Sequence, residues 1–101
     1  MSKCLVVGRV VSVNERSAKI EALSSKFHKS GEVIEVLSNE CLNVKPGDYV
    51  LISGVMFRKF IIHDPRRLKI ISLQVISEND IKNVIEKVST MHKRFTIYLS
   101  P

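Results

Sequence analysis

The chain has 101 residues, which is enough for one domain with a small hydrophobic core. Its 45% hydrophobic and 26% charged residues exclude an intrinsically disordered chain, because there is enough apolar surface to offset the entropy lost on ordering. The 16 Lys and Arg outnumber the 10 Asp and Glu, and the resulting net charge of +6 favours a polyanionic partner such as nucleic acid.

Neither a membrane-spanning segment nor a secretory signal is predicted. No apolar run reaches the roughly 20 residues of a membrane helix, and the N-terminus has no long apolar region. Cys4 and Cys41 are too few for a disulfide framework, and their spacing from His28 matches no zinc pattern. We therefore expect an intracellular protein, nuclear in a eukaryote, with no metal, cofactor or membrane partner.

Five β-strands are predicted between about residues 3 and 76. β-Branched or alternating segments cover residues 4–14, 18–23, 32–37, 49–62 and 68–76. Gly8 and Gly54 interrupt the first and fourth strands, as is typical of a bulge or a bend. Turns are predicted at residues 45–48, where a Pro-Gly pair has the order of a type II turn, and at residues 63–67.

One amphipathic helix is predicted after the fifth strand, over about residues 78–92. Ser77 and Asp80 have the spacing of a variant capping box at its start. The apolar residues behind them recur with the period of a single helical stripe: Ile81, Val84, Ile85, Val88 and Met91. The helix is predicted to end near His92 and to leave residues 93–101 as an extended tail.

The fold class predicted from these elements is all-β with one helix, in a single domain over residues 1–101. A bulged first strand and glycine bends favour a five-stranded OB-like barrel, because closure removes exposed sheet edges and glycines let strands coil. An open five-stranded sheet covered on one face by the helix is the alternative.

No pattern in the sequence predicts catalysis. The acidic residues are scattered, no serine lies in a glycine-flanked nucleophile elbow, and the four glycines form no phosphate-binding loop. We therefore expect a binding protein and not an enzyme.

Two clusters of basic and aromatic residues are the candidate nucleic-acid site. The larger lies around the turn between the fourth and fifth strands, where Asp64 alone opposes it in sequence: Phe57, Arg58, Lys59, Arg66, Arg67 and Lys69. The smaller lies in a predicted loop: Lys26, Phe27 and Lys29. Single-strand binding requires cations along the phosphates beside rings on which bases stack. The alternatives are that Phe57 belongs to the core and that Phe27 plugs the barrel end.

The first, fourth and fifth strands are apolar on both faces, although a barrel buries only one face. The second face must then be covered by the helix, by the tail or by another chain. The helix stripe is the predicted partner interface, and the alternative is that the helix caps its own barrel.

The order of elements resembles the smallest subunit of replication protein A, a single OB barrel whose C-terminal helix joins a bundle with two larger subunits. The segments that carry the resemblance are KCLVVGRVVSVN (3–14), GEVIEVL (31–37), GDYVLISG (47–54) and the helix over residues 79–91. The smallest subunit of the telomere-capping Ctc–Stn–Ten complex is similar for the same reason. The resemblance implies that the helix stripe faces a larger OB-fold subunit.

The predicted function is that of a non-enzymatic small OB-fold subunit of a heteromeric single-stranded DNA-binding or telomere-end-protection complex, with a place in DNA replication. It would pair with a larger OB subunit through its helix, and its basic residues would contact single-stranded nucleic acid, with DNA as the expected form. The alternatives are a small structural subunit of an RNA polymerase and a stand-alone RNA-binding OB protein. Mixed charges on the second and third strands disfavour the last, because aromatic platforms are expected there.

Overall fold

The computed structural model describes residues 3–59 and 62–99, with side chains as far as Met91 except those of Lys59 and His63. The elements in chain order are β1 (Lys3–Val13), β2 (Ser17–Ser25), β3 (Val33–Leu37), β4 (Tyr49–Lys59), β5 (Ile62–Ile76) and the helix α1 (Ile81–Leu99).

The five strands form a closed barrel in the order β1-β2-β3-β5-β4. The ladders are antiparallel except for β3 with β5, which run parallel and pair Glu35, Val36 and Leu37 with Arg67, Leu68 and Lys69. The predicted OB-like barrel followed by one helix is therefore confirmed, and the open-sheet alternative is wrong.

Alternate residues of each strand fill the barrel, as the two-residue period of a strand requires. On β2, Ala18, Ile20 and Ala22 point inward and are buried. The largest buried side chains of the barrel interior come from all five strands: Val6, Val10, Ile20, Ile34, Val36, Val50, Ile52 and Leu68.

Gly8 and Gly54 lie where the ladders shift register, as predicted. The β1–β2 pairing shifts between Val7 and Gly8, and a Cβ on Gly8 would clash with Ile20 Cγ2 and lie 2.7 Å from the carbonyl oxygen of Glu21. The β4–β5 pairing shifts at Gly54, where a Cβ would lie 2.9 Å from the carbonyl oxygen of Lys69. Both glycines thus allow a close approach of two backbones.

The predicted turn at residues 45–48 is also confirmed. Gly47 has φ +94°, a conformation that favours glycine, and the Asp48 N–H donates to the carbonyl oxygen of Lys45 at 3.0 Å. The predicted turn at residues 63–67, by contrast, lies within β5. After Met56 pairs with Leu68, the next β4 residue, Phe57, pairs with Asp64.

Residues 65–67 therefore have no partner on β4 and form a bulge, called here the β5 bulge. Beyond it, the ladder resumes and continues to the pair Lys59–Ile62. Pro65 fits this position because a bulged residue donates no ladder hydrogen bond.

Helix α1 packs on the outer face of β1 and against the end of β2, where Ser24 Oγ lies 3.2 Å from Ser89 Oγ. Val7 points outward from β1 and is nevertheless fully buried, because it packs with Ile76, Ile81 and Val88. Leu5, Leu23, Tyr49, Leu51, Val84 and Ile85 surround this second apolar cluster. The outward apolar face of β1 is thus covered by the chain's own helix, whereas Ile71 and Val75 of β5 remain exposed.

Both predicted ends of the helix need correction. The Val84 N–H donates to the carbonyl oxygen of Asp80, so Asp80 and not Ser77 is the N-cap, while Ser77 begins a separate turn and donates its hydroxyl to the Asp80 carboxylate. The helix continues to Leu99, so the extended tail predicted from residue 93 is wrong as far as residue 99. No glycine or proline interrupts residues 92–99, which explains the continuation. The last two residues of that prediction lie outside the described residues.

Candidate functional site

The two predicted basic clusters lie side by side at one end of the barrel. Because β3 and β5 run parallel, the loop that leads into β3 (residues 26–32, the β2–β3 loop) lies beside the β5 bulge. His28 Nε2 is hydrogen-bonded to the carbonyl oxygen of Pro65, and Arg66 Nε lies 3.7 Å from Glu32 Oε1. We call the joined cluster the basic surface: Lys26, Phe27, Lys29, Phe57, Arg58, Arg66, Arg67 and Lys69.

The β2–β3 loop is held by its own hydrogen bonds. The Phe27 N–H donates to Ser25 Oγ at 3.3 Å, and the Lys29 N–H donates to Glu32 Oε2 at 3.1 Å. Gly31 closes the loop with φ +91° and donates its N–H to the Ala22 carbonyl at 2.8 Å. The loop presents Phe27 with 47% of its surface exposed and with the Lys26 ammonium 5.7 Å from its ring centroid. Phe27 is therefore a surface aromatic and not a plug of the barrel.

Phe57 is not the exposed stacking ring that the sequence offers as a candidate. It is partly buried, and the Arg67 guanidinium carbon lies 4.9 Å from its ring centroid. This is cation–π geometry, so Arg67 occupies a face of the ring that a base would need. Phe57 thus supports the Arg67 side chain, whose own planar guanidinium can stack on a base.

Two glutamates from β3 and its preceding loop approach the arginines of the β5 bulge. Glu32 pairs with Arg66, and Glu35 Oε1 accepts a hydrogen bond from Arg67 Nε at 3.3 Å. Glu35 also lies between Lys19 and Arg67 in the strand register. Asp64, the single acid expected near the cluster, accepts the Arg66 backbone N–H at 2.9 Å and so shapes the bulge.

The arginines remain able to bind an anion despite these acids. The Arg66 side chain is 77% exposed and the Arg67 side chain 52% exposed. Ion pairs this exposed contribute about 0–1 kcal/mol, so a phosphate can compete with the carboxylate. Lys29 and Arg58 are also exposed, and Lys69 is exposed farther along β5, beside Leu37 at the C-terminal end of β3. The side chain of Lys59, a further predicted contact, lies outside the described residues.

The predicted partner-interface residues divide into a covered group and one exposed residue. Ile81 and Val88 are buried, and Val84 and Ile85 are partly buried against the barrel. Met91 is 56% exposed and lines an apolar cleft of about 410 Å³ beside the β2–β3 loop, together with Leu5 and Phe27. Most of the stripe is therefore engaged within the chain.

The cysteines differ in environment. Cys4 is buried and Cys41 is exposed, and both are free thiols. Burial raises the pKa of the Cys4 thiol, and a contact with Ser25 Oγ opposes this in part. Among residues 3–59 and 62–99, no three His, Cys, Asp or Glu residues lie close enough to hold a metal ion. In that same part of the chain, no helix combines the length and apolar character needed to cross a membrane.

The fold has a counterpart among solved structures. The chain is similar to the C-terminal domain of SilB from Cupriavidus metallidurans, solved in solution, with a TM-score of 0.53 and 18% sequence identity. The similarity covers 78% of this chain and 94% of that domain. At this identity the likeness shows the shared barrel fold. No protein-family model and no curated protein matches the chain.

This comparison contradicts the predicted function. The barrel's structural neighbour is a domain of SilB, and the prediction of a subunit of a single-stranded DNA-binding or telomere-end-protection complex is wrong. The structure adds a physical reason, since the helix stripe expected to bind a larger OB subunit packs mainly on its own barrel.

Proposed function

We propose that the chain is a non-enzymatic, stand-alone barrel that binds single-stranded nucleic acid through the basic surface. The observation that supports this most strongly is the convergence of two clusters that lie about 40 residues apart in sequence, joined by the His28–Pro65 hydrogen bond and the Arg66–Glu32 pair. The helix cluster supports a stand-alone barrel, because the chain's own helix buries the outward apolar residues of β1.

Phosphate contacts supply most of the affinity in this proposal. Lys29 and Arg66 lie on the adjoining loop and bulge, and Arg58 and Lys69 are exposed on β4 and β5, so a flexible single strand can bring successive phosphates to them. Each neutralised phosphate releases condensed counterions, so binding weakens as salt rises. The exposed ring of Phe27 provides a surface on which one base stacks.

Binding is expected to be tolerant of sequence. The outer faces of β2 and β3 carry Lys19, Glu21 and Glu35, and neither strand contains an aromatic residue. There is therefore no row of rings to select successive bases, and contacts to phosphates carry no sequence information.

The test is a salt series of binding to fluorescently labelled oligo-U and oligo-dT, measured by anisotropy. The variant Arg66→Gln/Arg67→Gln is compared with Lys82→Gln/Lys87→Gln, which removes the same charge from exposed positions on α1. We expect the first variant to bind more weakly and to reduce the slope of log affinity against log salt by roughly 1.4, about 0.7 for each lost phosphate contact. The second should keep the wild-type slope.

Equal losses in both variants would show that net charge attracts the oligonucleotide and that the basic surface is not a site. No binding by the wild-type chain to either oligonucleotide at low salt would refute the proposed function.

A further inference from the structure

His28 joins the two halves of the basic surface through a buried imidazole. It is 8% exposed and is the one buried polar or charged side chain among the residues whose burial is described. Nδ1 lies 2.7 Å from Ser25 Oγ at the end of β2, and Nε2 is bonded to the carbonyl oxygen of Pro65 in the β5 bulge. One ring thus connects the loop that carries Lys26, Phe27 and Lys29 to the bulge that carries the two arginines.

We propose that His28 is the positioning residue of the nucleic-acid site and acts as the Nε2–H tautomer. A carbonyl oxygen can only accept, so the proton of the bond to Pro65 must be on Nε2. In the neutral ring Nδ1 then accepts, and the Ser25 hydroxyl donates to it. Ser25 Oγ in turn accepts a hydrogen bond from the Phe27 backbone N–H, so this chain of hydrogen bonds ends at the residue that carries the stacking ring.

The Arg66–Glu32 contact between the loop and the bulge is much weaker. The Arg66–Glu32 pair spans 3.7 Å with the arginine 77% exposed, where side-chain entropy and salt screening offset most of the attraction. Hydrogen bonds shielded from water keep more of their electrostatic strength. His28 therefore fixes the distance between Phe27 and the arginines before ligand arrives, and such preorganisation reduces the entropy lost on binding.

The tautomer is tested on the wild-type protein without nucleic acid. Long-range ¹H–¹⁵N NMR of the imidazole should show a protonated, pyrrole-type Nε2 and an unprotonated, pyridine-type Nδ1. The opposite assignment, or a ring that exchanges between both tautomers, would overturn the proposal. This result does not depend on the proposed function, although the positioning role rests on it.

The positioning role is tested with His28→Ala against Ser89→Ala. The control removes another hydrogen bond of β2, between Ser24 Oγ and Ser89 Oγ at 3.2 Å, which does not involve the loop. We expect His28→Ala to increase the fast backbone mobility of residues 26–29 and 65–67 by ¹⁵N relaxation while the amides of Ile20 and Ile52 stay rigid. Its oligo-U affinity should fall about 5-fold, the loss expected for one net hydrogen bond, and Ser89→Ala should bind as wild type.

Two results would refute the positioning role. One is a His28→Ala protein whose loop and bulge remain as rigid as in wild type. The other is a mobile loop with unchanged oligo-U affinity. If the wild-type chain binds no oligonucleotide, the proposed function fails, and the relaxation data still decide whether His28 holds the loop to the bulge.

Discussion

The two sides of this barrel differ in their outer faces: one is apolar and covered by helix α1, and the other is charged and exposed to water. On the covered side, β1 presents outward apolar residues such as Leu5 and Val7, and helix α1 packs over them and over Leu23 near the end of β2. On the open side, the first half of β2, β3 and the β5 bulge present charges of both signs, with Glu35 between Lys19 and Arg67. The comparison shows that an apolar outer face need not mark a partner, since the chain itself can supply the cover.

The same comparison shows where a ligand has access. The covered side is closed by a cluster in which Val7, Ile76, Ile81 and Val88 are all buried. The open side pairs its acids and cations loosely, at 3.3 and 3.7 Å and with half or more of each arginine exposed. Loose pairs at a surface can exchange partners with a polyanion, whereas a packed apolar cluster cannot.

The largest effect on stability is expected from a charge buried beneath helix α1 on the covered side. Val7→Asp buries an uncompensated charge beneath α1 and should lower the free energy of unfolding by about 3–5 kcal/mol, because nothing in that cluster can pair with it. Val11→Asp is the control on the same strand, at a residue 45% exposed, and should cost no more than about 1 kcal/mol. Urea denaturation measures both, and equal costs would show that α1 does not cover β1.

A smaller effect, on oligonucleotide affinity, is expected when the acids of the open side are removed. Glu32→Gln/Glu35→Gln removes the acids that face Arg66 and Arg67 and should strengthen oligonucleotide binding by roughly 1.5- to 5-fold for each pair released. Anisotropy titrations at fixed salt measure the change. Glu78→Gln/Glu86→Gln alters net charge equally at exposed positions outside the open side and serves as the control.

If the Glu78→Gln/Glu86→Gln control gained more affinity than Glu32→Gln/Glu35→Gln, the proposed competition of Glu32 and Glu35 for the arginines would be contradicted. Weaker binding after loss of Glu32 and Glu35 would also do so, because it would mean that the acids organise the arginines instead of competing for them.

The smallest effect is expected from the buried thiol of Cys4, which belongs to the barrel interior. Because burial raises the pKa of Cys4, the folded chain holds its proton at an alkaline pH at which the unfolded chain has lost it. Stability contributed by Cys4 is therefore complete below the ordinary thiol pKa and decreases as pH rises above it. Urea denaturation across the alkaline range should show a smaller decrease in the free energy of unfolding for Cys4→Ala than for Cys41→Ala. The second variant is the control, because it removes an exposed thiol and keeps Cys4. Identical pH profiles would contradict the raised pKa.

Local patterns predicted most of the fold. The presence of five strands, the register shifts at Gly8 and Gly54 and the turn at Gly47 all depend on residues close in sequence and are confirmed, although Ile62, predicted as the end of the fourth strand, begins β5. The errors lie where local signals are ambiguous. Pro65 suggests a turn but occupies a bulge within β5, and the helix continues beyond His92 because no residue there stops it.

The candidate site was only half predictable for a related reason. Within each of the two clusters the cations and rings lie close together in sequence, so the sequence pattern is enough to find them. Glu32 and Glu35 meet Arg66 and Arg67 across more than 30 residues, and only the parallel β3–β5 ladder brings them together. His28 carried no local signal of its role, because its partner Pro65 is 37 residues away.

Whether the basic surface binds nucleic acid is tested most directly by an NMR titration of the ¹⁵N-labelled chain with oligo-U, in which the backbone amides are followed. Binding through the basic surface predicts shifts concentrated at residues 26–29 and 64–69 and on the outer faces of β2 and β3, with the amides of residues 81–91 unchanged. Shifts concentrated on α1 and the adjoining face of β1, with the basic surface unaffected, would contradict the account.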